Sequence, residues 1–256
     1  MPITHKNKTE VIASLTSYPA RFSSLHLTLK SLLQQTVSAD QILLWIAVED
    51  KSQLPRKVLQ LAKLNQIEIH FTEDTRSYKK IIPALEKYPQ ACIVTFDDDV
   101  YYPPNTLQKL LEGHQKNPYK IIANRTHLIS VDNLGNLQPY KQWHKNCSNQ
   151  SRPERNFQTG VGGVLYPPNS LHKMVTDKNL FTKLAPHGDD IWLYWMMRLN
   201  GNTAMQTQND FEFYHWPFSQ KTALYKQNVR KDGNDTQIQA MLQQFGSPLC
   251  LPVNDD

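Results

Sequence analysis

The chain has 256 residues, 39% of them hydrophobic and 20% charged, which suits one large domain with ample apolar side chains for a core and excludes a disordered chain. Its net charge of +5 and pI near 9.0 favour anionic partners, but the Lys and Arg residues are dispersed with no dense basic block, so charge alone names no partner. Cys92, Cys147 and Cys250 are odd in number, far apart and outside any CxxC spacing, which sets aside a zinc cluster and makes a reducing compartment the simpler expectation.

Met1 to Glu10 is polar and lacks the apolar core of a signal peptide, and apolar runs such as Ile42 to Val48 are too short to span a bilayer. The expected location is the cytoplasm, with room for peripheral contact at the inner face of the membrane. Val11–Leu15 reads as a buried strand, and Leu25, Leu29, Leu32 and Leu33 follow at helical spacing behind caps at Ser23 or Ser24. Gln41 to Val48 is continuously apolar, as a strand covered on both faces should be. A second helix is expected from about Pro55. Ile67, Ile69 and Phe71 alternate as a third strand, and Tyr78 to Tyr88 reads as a third helix with Pro83 in an early turn. Repeated βα units predict an α/β fold with a mainly parallel central sheet flanked by helices.

The fourth strand, Ala91 to Phe96, delivers Asp97-Asp98-Asp99. Three adjacent acids at a strand end repel one another unless a bound cation or strong donors offset them, which points to a divalent-metal site. The plainer alternative is a solvated acidic turn capping a helix near Pro104. Ligands of such sheets sit outside the carboxyl ends of the strands. There the sequence offers Thr16, Ser17, Tyr18 and Arg21, then Glu49 and Asp50, then Glu73, Asp74, Arg76, Lys79 and Lys80, and last the aspartates. Hydroxyls and carboxylates for a base and ribose, a ring to stack, cations for a diphosphate and acids for its metal predict nucleotide-diphosphate binding. Singly, Lys79-Lys80 can be a solvated helix face, Arg21 the partner of a nearby acid, and Glu49-Asp50 a plain turn.

From Ile121 to Asn156 the pattern loosens into a variable stretch, with a hairpin turn at Asp132 to Asn136. Gly160, Gly162 and Gly163 permit close approach of another backbone or a sugar ring, or form a simple bulge; they precede a strand, so they are no dinucleotide fingerprint. Gly188-Asp189-Asp190-Ile191-Trp192 opens an aromatic-rich helix that should stop at Asn200-Gly201. Acids at a helix start are ordinary caps, yet one facing the cleft can act as a general base. His215 is either a satisfied residue among aromatics or a third metal ligand. The tail, Leu224–Val229 and Gly233–Ile238, reads as a lid or a helix pair.

Ser14 to Pro19 with Arg21, Tyr78 to Leu85, Val94 to Pro103, Gly160 to Pro168 and Gly188 to Trp192 together resemble the GT-A-fold glycosyltransferases, and within them bacterial family-two-like enzymes of lipopolysaccharide and capsule assembly. The resemblance covers most of the chain. It implies a single domain over 1–256, with a nucleotide-sugar half to about 125 and an acceptor half with a C-terminal lid beyond. It implies that Asp97 and Asp99 are the outer members of a D-x-D signature bridging ribose and Mn²⁺ or Mg²⁺ to the sugar diphosphate, and that a late His, here His215, completes the metal shell. Asp189-Asp190 matches the late acidic pair, whose second member is the usual base of inverting enzymes. Two departures stand out: Asp in place of the commoner Glu at 189, and a third acid, Asp98, between the signature positions.

The expected reaction is therefore inverting transfer from a nucleotide sugar, a UDP-sugar, to a hydroxyl of an oligosaccharide or glycolipid, with no nucleic-acid partner. Asp190 takes the acceptor proton, and Lys79 and Lys80 stabilise the departing diphosphate. Two rivals make different demands. A nucleotidyltransferase usually carries a Gly-rich phosphate loop near its N-terminus, and none follows strand one. A non-catalytic carbohydrate- or nucleic-acid-binding module would present Trp143, Trp192, Trp195 and Trp216 as its ligand surface.

Overall fold

The computed structural model describes residues 3–4, 9–207, 214–216 and 233–254. Its strands are β1 (Ile3–Thr4), β2 (Val11–Thr16), β3 (Val37–Ser38), β4 (Gln41–Ala47), β5 (Glu68–Thr72), β6 (Cys92–Phe96), β7 (Val100–Tyr101), β8 (Ile121–Ala123), β9 (Thr126–Leu128), β10 (His144–Lys145), β11 (Asn156–Gln158), β12 (Val164–Tyr166), β13 (Ala204–Gln206) and β14 (Tyr214–His215). Its α-helices are α1 (Phe22–Leu33), α2 (Arg56–Lys63), α3 (Ile82–Lys87), α4 (Thr106–Lys116), α5 (Lys178–Leu184), α6 (Asp189–Leu199) and α7 (Gly233–Phe245). Seven strands form the central sheet in the order β13-β8-β12-β6-β2-β4-β5. All neighbours pair in parallel except β12, which is antiparallel to both β6 and β8. This mixed, mostly parallel sheet flanked by helices is the GT-A, Rossmann-like arrangement that the sequence predicts.

Alternation along each strand explains why the apolar runs are continuous. Val11, Ala13 and Leu15 of β2 pack in one core with Leu44 and Ile46 of β4, Val94 and Phe96 of β6, and the helices α1, α2 and α4. Ile12, Leu43, Trp45 and Ile93 point to the other face, with Ala84 of α3. A side chain must leave water on either face, so nearly every position is apolar, Ser14 and Thr95 being buried polar exceptions. Farther along the sheet, Ile121, Ala123, Val164 and Tyr166 meet α5, α6 and α7. Fully burying each such side chain contributes about 1.5–3 kcal/mol before the entropy of ordering is counted.

Several expectations change. The structure has no Ser23 or Ser24 cap: α1 begins at Phe22 and continues from a 3-10 turn, Pro19–Arg21. Tyr78 to Tyr88 is not one helix, because Arg76–Lys80 is a 3-10 turn and α3 starts only at Ile82, with Pro83 in its first turn. The stretch read as variable contains an antiparallel sheet, β10-β9-β11. The Asp132 hairpin is present, its side-chain oxygens accepting the N–H groups of Leu134 and Asn136 and the side-chain amide of Asn136, with φ +83° at Gly135. Helix α6 stops at Gly201, φ +71°, as predicted. Of the two tail stretches, Gly233–Ile238 opens α7, and Leu224–Val229 lies outside the described residues. Among the described residues no helix is long and apolar enough to cross a membrane.

Candidate active site

The chain leaves β2 outward to β4 and β5, then returns to place β6 on the other side of β2. This order reversal opens a crevice beyond the carboxyl ends of β2 and β6, where a ligand meets main chain from both. Thr16 to Tyr18 leave β2 at this edge and the aspartate triplet leaves β6 there.

The three aspartates face three ways. Asp98 turns inward, accepting from Ser17 Oγ at 2.5 Å and Arg21 Nη1 at 3.4 Å. Burial, offset only in part by Arg21 and Ser17, pushes its carboxyl up to about 7. Asp99 pairs with the same guanidinium and lies 3.3 Å from His215 Nδ1. Burial alone would raise its pKa, but His215 and Arg21 outweigh it and hold the carboxyl below its usual range. Asp97, more open, accepts from Lys80 Nζ at 2.9 Å. Ser17, Arg21 and Asp98 are thus buried in the wall behind the crevice.

His215 reaches this place through β14, which pairs antiparallel with β7 immediately after the triplet. Trp216 adds two bonds, N–H to the Asp99 carbonyl at 3.1 Å and Nε1–H to Thr28 Oγ1 at 2.8 Å. The Thr28 hydroxyl shares its hydrogen between the carbonyls of Asp98 and Val100. These bonds fix the turn that carries the acids.

Lys79 and Lys80 are buried, contrary to the solvated-face alternative. The 3-10 turn points Lys79 at Asp74, whose carboxyl is lowered below its usual range because Lys79 and the Arg76 N–H outweigh burial. Lys80 is anchored by its carbonyl, which accepts from Ser14 Oγ at 2.6 Å, and its ammonium lies 3.0 Å from Asp189 Oδ2 as well as against Asp97. Burial would lower the Lys80 pKa, but Asp189, Asp97 and Asp190 outweigh it and drive it well above the usual value, favouring the cation.

Asp189 and Asp190 open α6. Asp190 accepts the Gly160 N–H with both oxygens, at 3.0 and 3.1 Å. Burial first, then the neighbouring Asp189 charge, pushes Asp190 up to about 7. Thr16 donates to the Trp45 carbonyl and Tyr18 lies 6.0 Å from the Arg21 guanidinium. Glu73 stands apart, paired with Lys178 on the surface. Arg76, at φ +58°, reaches across to His187 and the Pro186 carbonyl, tying the turn after β5 to the turn before α6.

Sequence reasoning passed over Thr28, and it gave no role to Ser14, Tyr102 or the Gly160 amide although all three stand in stretches it singled out. Tyr102 Oη accepts the Asp97 N–H at 2.8 Å. Thr28 had a readable signal, a polar residue on the buried leucine face of α1; the Ser14 and amide contacts had none.

Among the described residues no three His, Cys, Asp or Glu side chains form a ready-made metal cluster. Asp99 and His215 come together; Asp97 is turned to Lys80. A carboxylate oxygen beside an imidazole nitrogen nonetheless suits Mn²⁺, whose remaining positions a diphosphate and water can fill. The chemistry of this donor pair fits such an ion.

Sheet order and the crevice at its edge define a GT-A-type fold. The chain belongs to glycosyl transferase family 2, whose model matches residues 16–181. In fold it is similar to the mannosyltransferase PcManGT from Pyrobaculum calidifontis, solved in complex with GDP-Man and Mn²⁺, at TM-score 0.55 and 13% identity. That alignment covers 94% of this chain and 66% of that one, so the chain spans a little under two thirds of that structure's length. It is also similar to 4-diphosphocytidyl-2C-methyl-D-erythritol synthase from Anaerococcus prevotii, at TM-score 0.51 and 13% identity, covering 88% and 96% of the two chains. No curated protein matches the chain in sequence. Three of the four tryptophans on which a binding module would rely, Trp143, Trp192 and Trp195, are core residues.

Proposed function

We propose that the protein transfers a sugar from a nucleotide-diphosphate donor, a UDP-sugar, to a hydroxyl of a bacterial surface oligosaccharide or glycolipid, with inversion, in the cytoplasm or at the inner face of its membrane. The observation that carries this reading is the convergence of two acid sets on one lysine: Lys80 spans Asp97 of the β6 triplet and Asp189 of the α6 pair. Donor chemistry and acceptor chemistry thereby share one crevice.

In this reading Asp99 and His215 would hold Mn²⁺ or Mg²⁺, with Asp97 toward the ribose. The ion, when bound, supplies positive charge to the departing diphosphate. Thr16 and Tyr18 line the nucleoside side, with Asp74 and Lys79 beyond them, and Ser17, Arg21 and Asp98 brace the triplet from behind. Asp190 takes the proton of the acceptor hydroxyl, and its raised pKa makes it a competent base near neutrality. Lys80 keeps charge balance among three acids rather than acting alone on the diphosphate. The nucleotidyltransferase alternative finds no support after β2, where the chain has no glycine before Gly113.

The test is turnover of a nucleotide-sugar panel with Mn²⁺ by the wild type and by Asp190→Asn. Transfer by the wild type and a loss of about 10² to 10⁴-fold in the variant are expected. Wild-type turnover by Asp190→Asn at saturating donor and metal would remove Asp190 as base. Pyrophosphate release from a nucleoside triphosphate would instead favour nucleotidyl transfer.

A further inference from the structure

We infer that Gly160 is a positioning residue for Asp190, and that Lys80 works with it by holding the carboxylates on either side. This inference rests on the proposed role of Asp190 as base. Gly160 lies between β11 and β12, where its amide donates to both Asp190 oxygens. Donation to both oxygens fixes the carboxylate plane, and each oxygen keeps lone-pair capacity for an incoming hydroxyl.

The missing side chain matters as much as the amide. A Cβ at Gly160 would stand 2.9 Å from Lys80 Nζ, 3.2 Å from Asp190 Oδ1 and 3.5 Å from Asp97 Oδ1. Nearby Gly162 and Gly163 have φ of +101° and +93°, so backbone conformation accounts for glycine there. Gly160 is outside the left-handed region. Space therefore favours glycine at 160: its bare Cα stands where the donor-side acid, the acceptor-side acid and the lysine meet.

Lys80 cannot yield that space without cost. Its carbonyl is held by Ser14 and its ammonium by Asp97 and Asp189. An alanine at 160 is accommodated by moving the far end of this one side chain, so the fold survives while both ion pairs and the plane of Asp190 are disturbed.

Two measurements test the role. Glycine-selective ¹⁵N labelling reports on only nine glycines, and the Gly160 signal is assigned by its disappearance in Gly160→Ala. At pH 8, replacing the charged acceptor by Asp190→Asn should weaken the hydrogen bond and move the Gly160 amide proton upfield; an unmoved signal at that pH overturns the inference. The second measurement is nucleoside diphosphate release from UDP-glucose, UDP-N-acetylglucosamine and GDP-mannose with Mn²⁺. Gly160→Ala and Lys80→Gln should each lower kcat by about 10²-fold, and in Gly160→Ala the Kd of UDP or GDP should stay within about threefold. Lys80→Arg should recover part of the loss, and the double variant should lose little more than the worse single variant, because both disturb one cluster, in which Gly160 holds Asp190 and Lys80 holds Asp97 and Asp189 beside it. Wild-type kcat in folded Gly160→Ala, or losses that simply multiply, would sink the positioning role.

The two readings fail differently. Full turnover by Asp190→Asn removes the base while a shifted Gly160 amide still shows the contact. An inactive Asp190→Asn beside a fully active Gly160→Ala removes the positioning role alone. Absence of turnover on all three donors counts against the proposed function, and the amide signal then decides the contact by itself.

Discussion

Asp190 meets opposing demands of chemistry and stability. Burial and Asp189 push its carboxyl up to about 7, and a base must shed its proton before it can take another. Activity that depends on it should rise with pH through about 7. The effect on folding has the opposite sign. An unfolded Asp titrates near pH 4, so between about pH 4 and 7 the native chain keeps a proton that the unfolded chain has lost, and stability falls as pH rises through that window. Asp190→Asn should therefore melt higher than the wild type at pH 8 and level with it at about pH 4, measured by thermal denaturation across that range. Equal melting temperatures at pH 8 would show that the carboxylate is already fully compensated.

Residues of this kind were only half legible. The acids at strand and helix ends could be placed in one crevice from the sequence, because a parallel sheet gathers strand ends at one edge. The inward turn of Asp98 and the burial of Lys79 and Lys80 could not. Burying a lysine requires partners, and those of Lys80 arrive on β6 and α6, far along the chain.

At the scale of elements, strands covered on both faces were the easiest to read, since β4 must be apolar at nearly every position. The three-residue strands β9 and β11 have too little length to show a period, and they vanished into a stretch read as variable. Pairing of β14 with β7 depends on a contact between distant segments that no local pattern reports. Helix α6 gives a different lesson, because a basic residue in its last turn is an expected feature but its complete burial is not. Arg198 is fully buried and donates to the carbonyls of Pro248, Asn202, Leu251 and Pro252, pinning the segment after α7. Arg198→Met keeps the apolar stem but leaves these acceptors without their donor. A loss of about 2–4 kcal/mol is expected in urea unfolding, with faster hydrogen exchange over residues 246–254. Unchanged stability would mean that water satisfies these carbonyls.

At the scale of the molecule, the crevice joins parts of the chain that fold from distant segments. Asp99 follows β6 near the middle of the sheet, whereas His215 arrives late, on a two-residue strand. A cation bridging them would bind the native chain and not the unfolded one, so it should stabilise by mass action. At a hundredfold excess over Kd the gain is about 2.7 kcal/mol, which for a chain of this size is a rise of about 5–10 °C in Tm. UDP supplies phosphate oxygens for the same ion, so Mn²⁺ and UDP together should raise Tm by more than the sum of their separate effects. Asp99→Ala and His215→Ala should each abolish that excess while leaving any metal-free shift by UDP in place, because the remaining crevice is untouched. EDTA should reverse the excess in the wild type and change neither variant. Strictly additive shifts, or an excess that survives Asp99→Ala, would show that the ion is held elsewhere and that the pair formed by Asp99 and His215 serves only to pin β14 to β7.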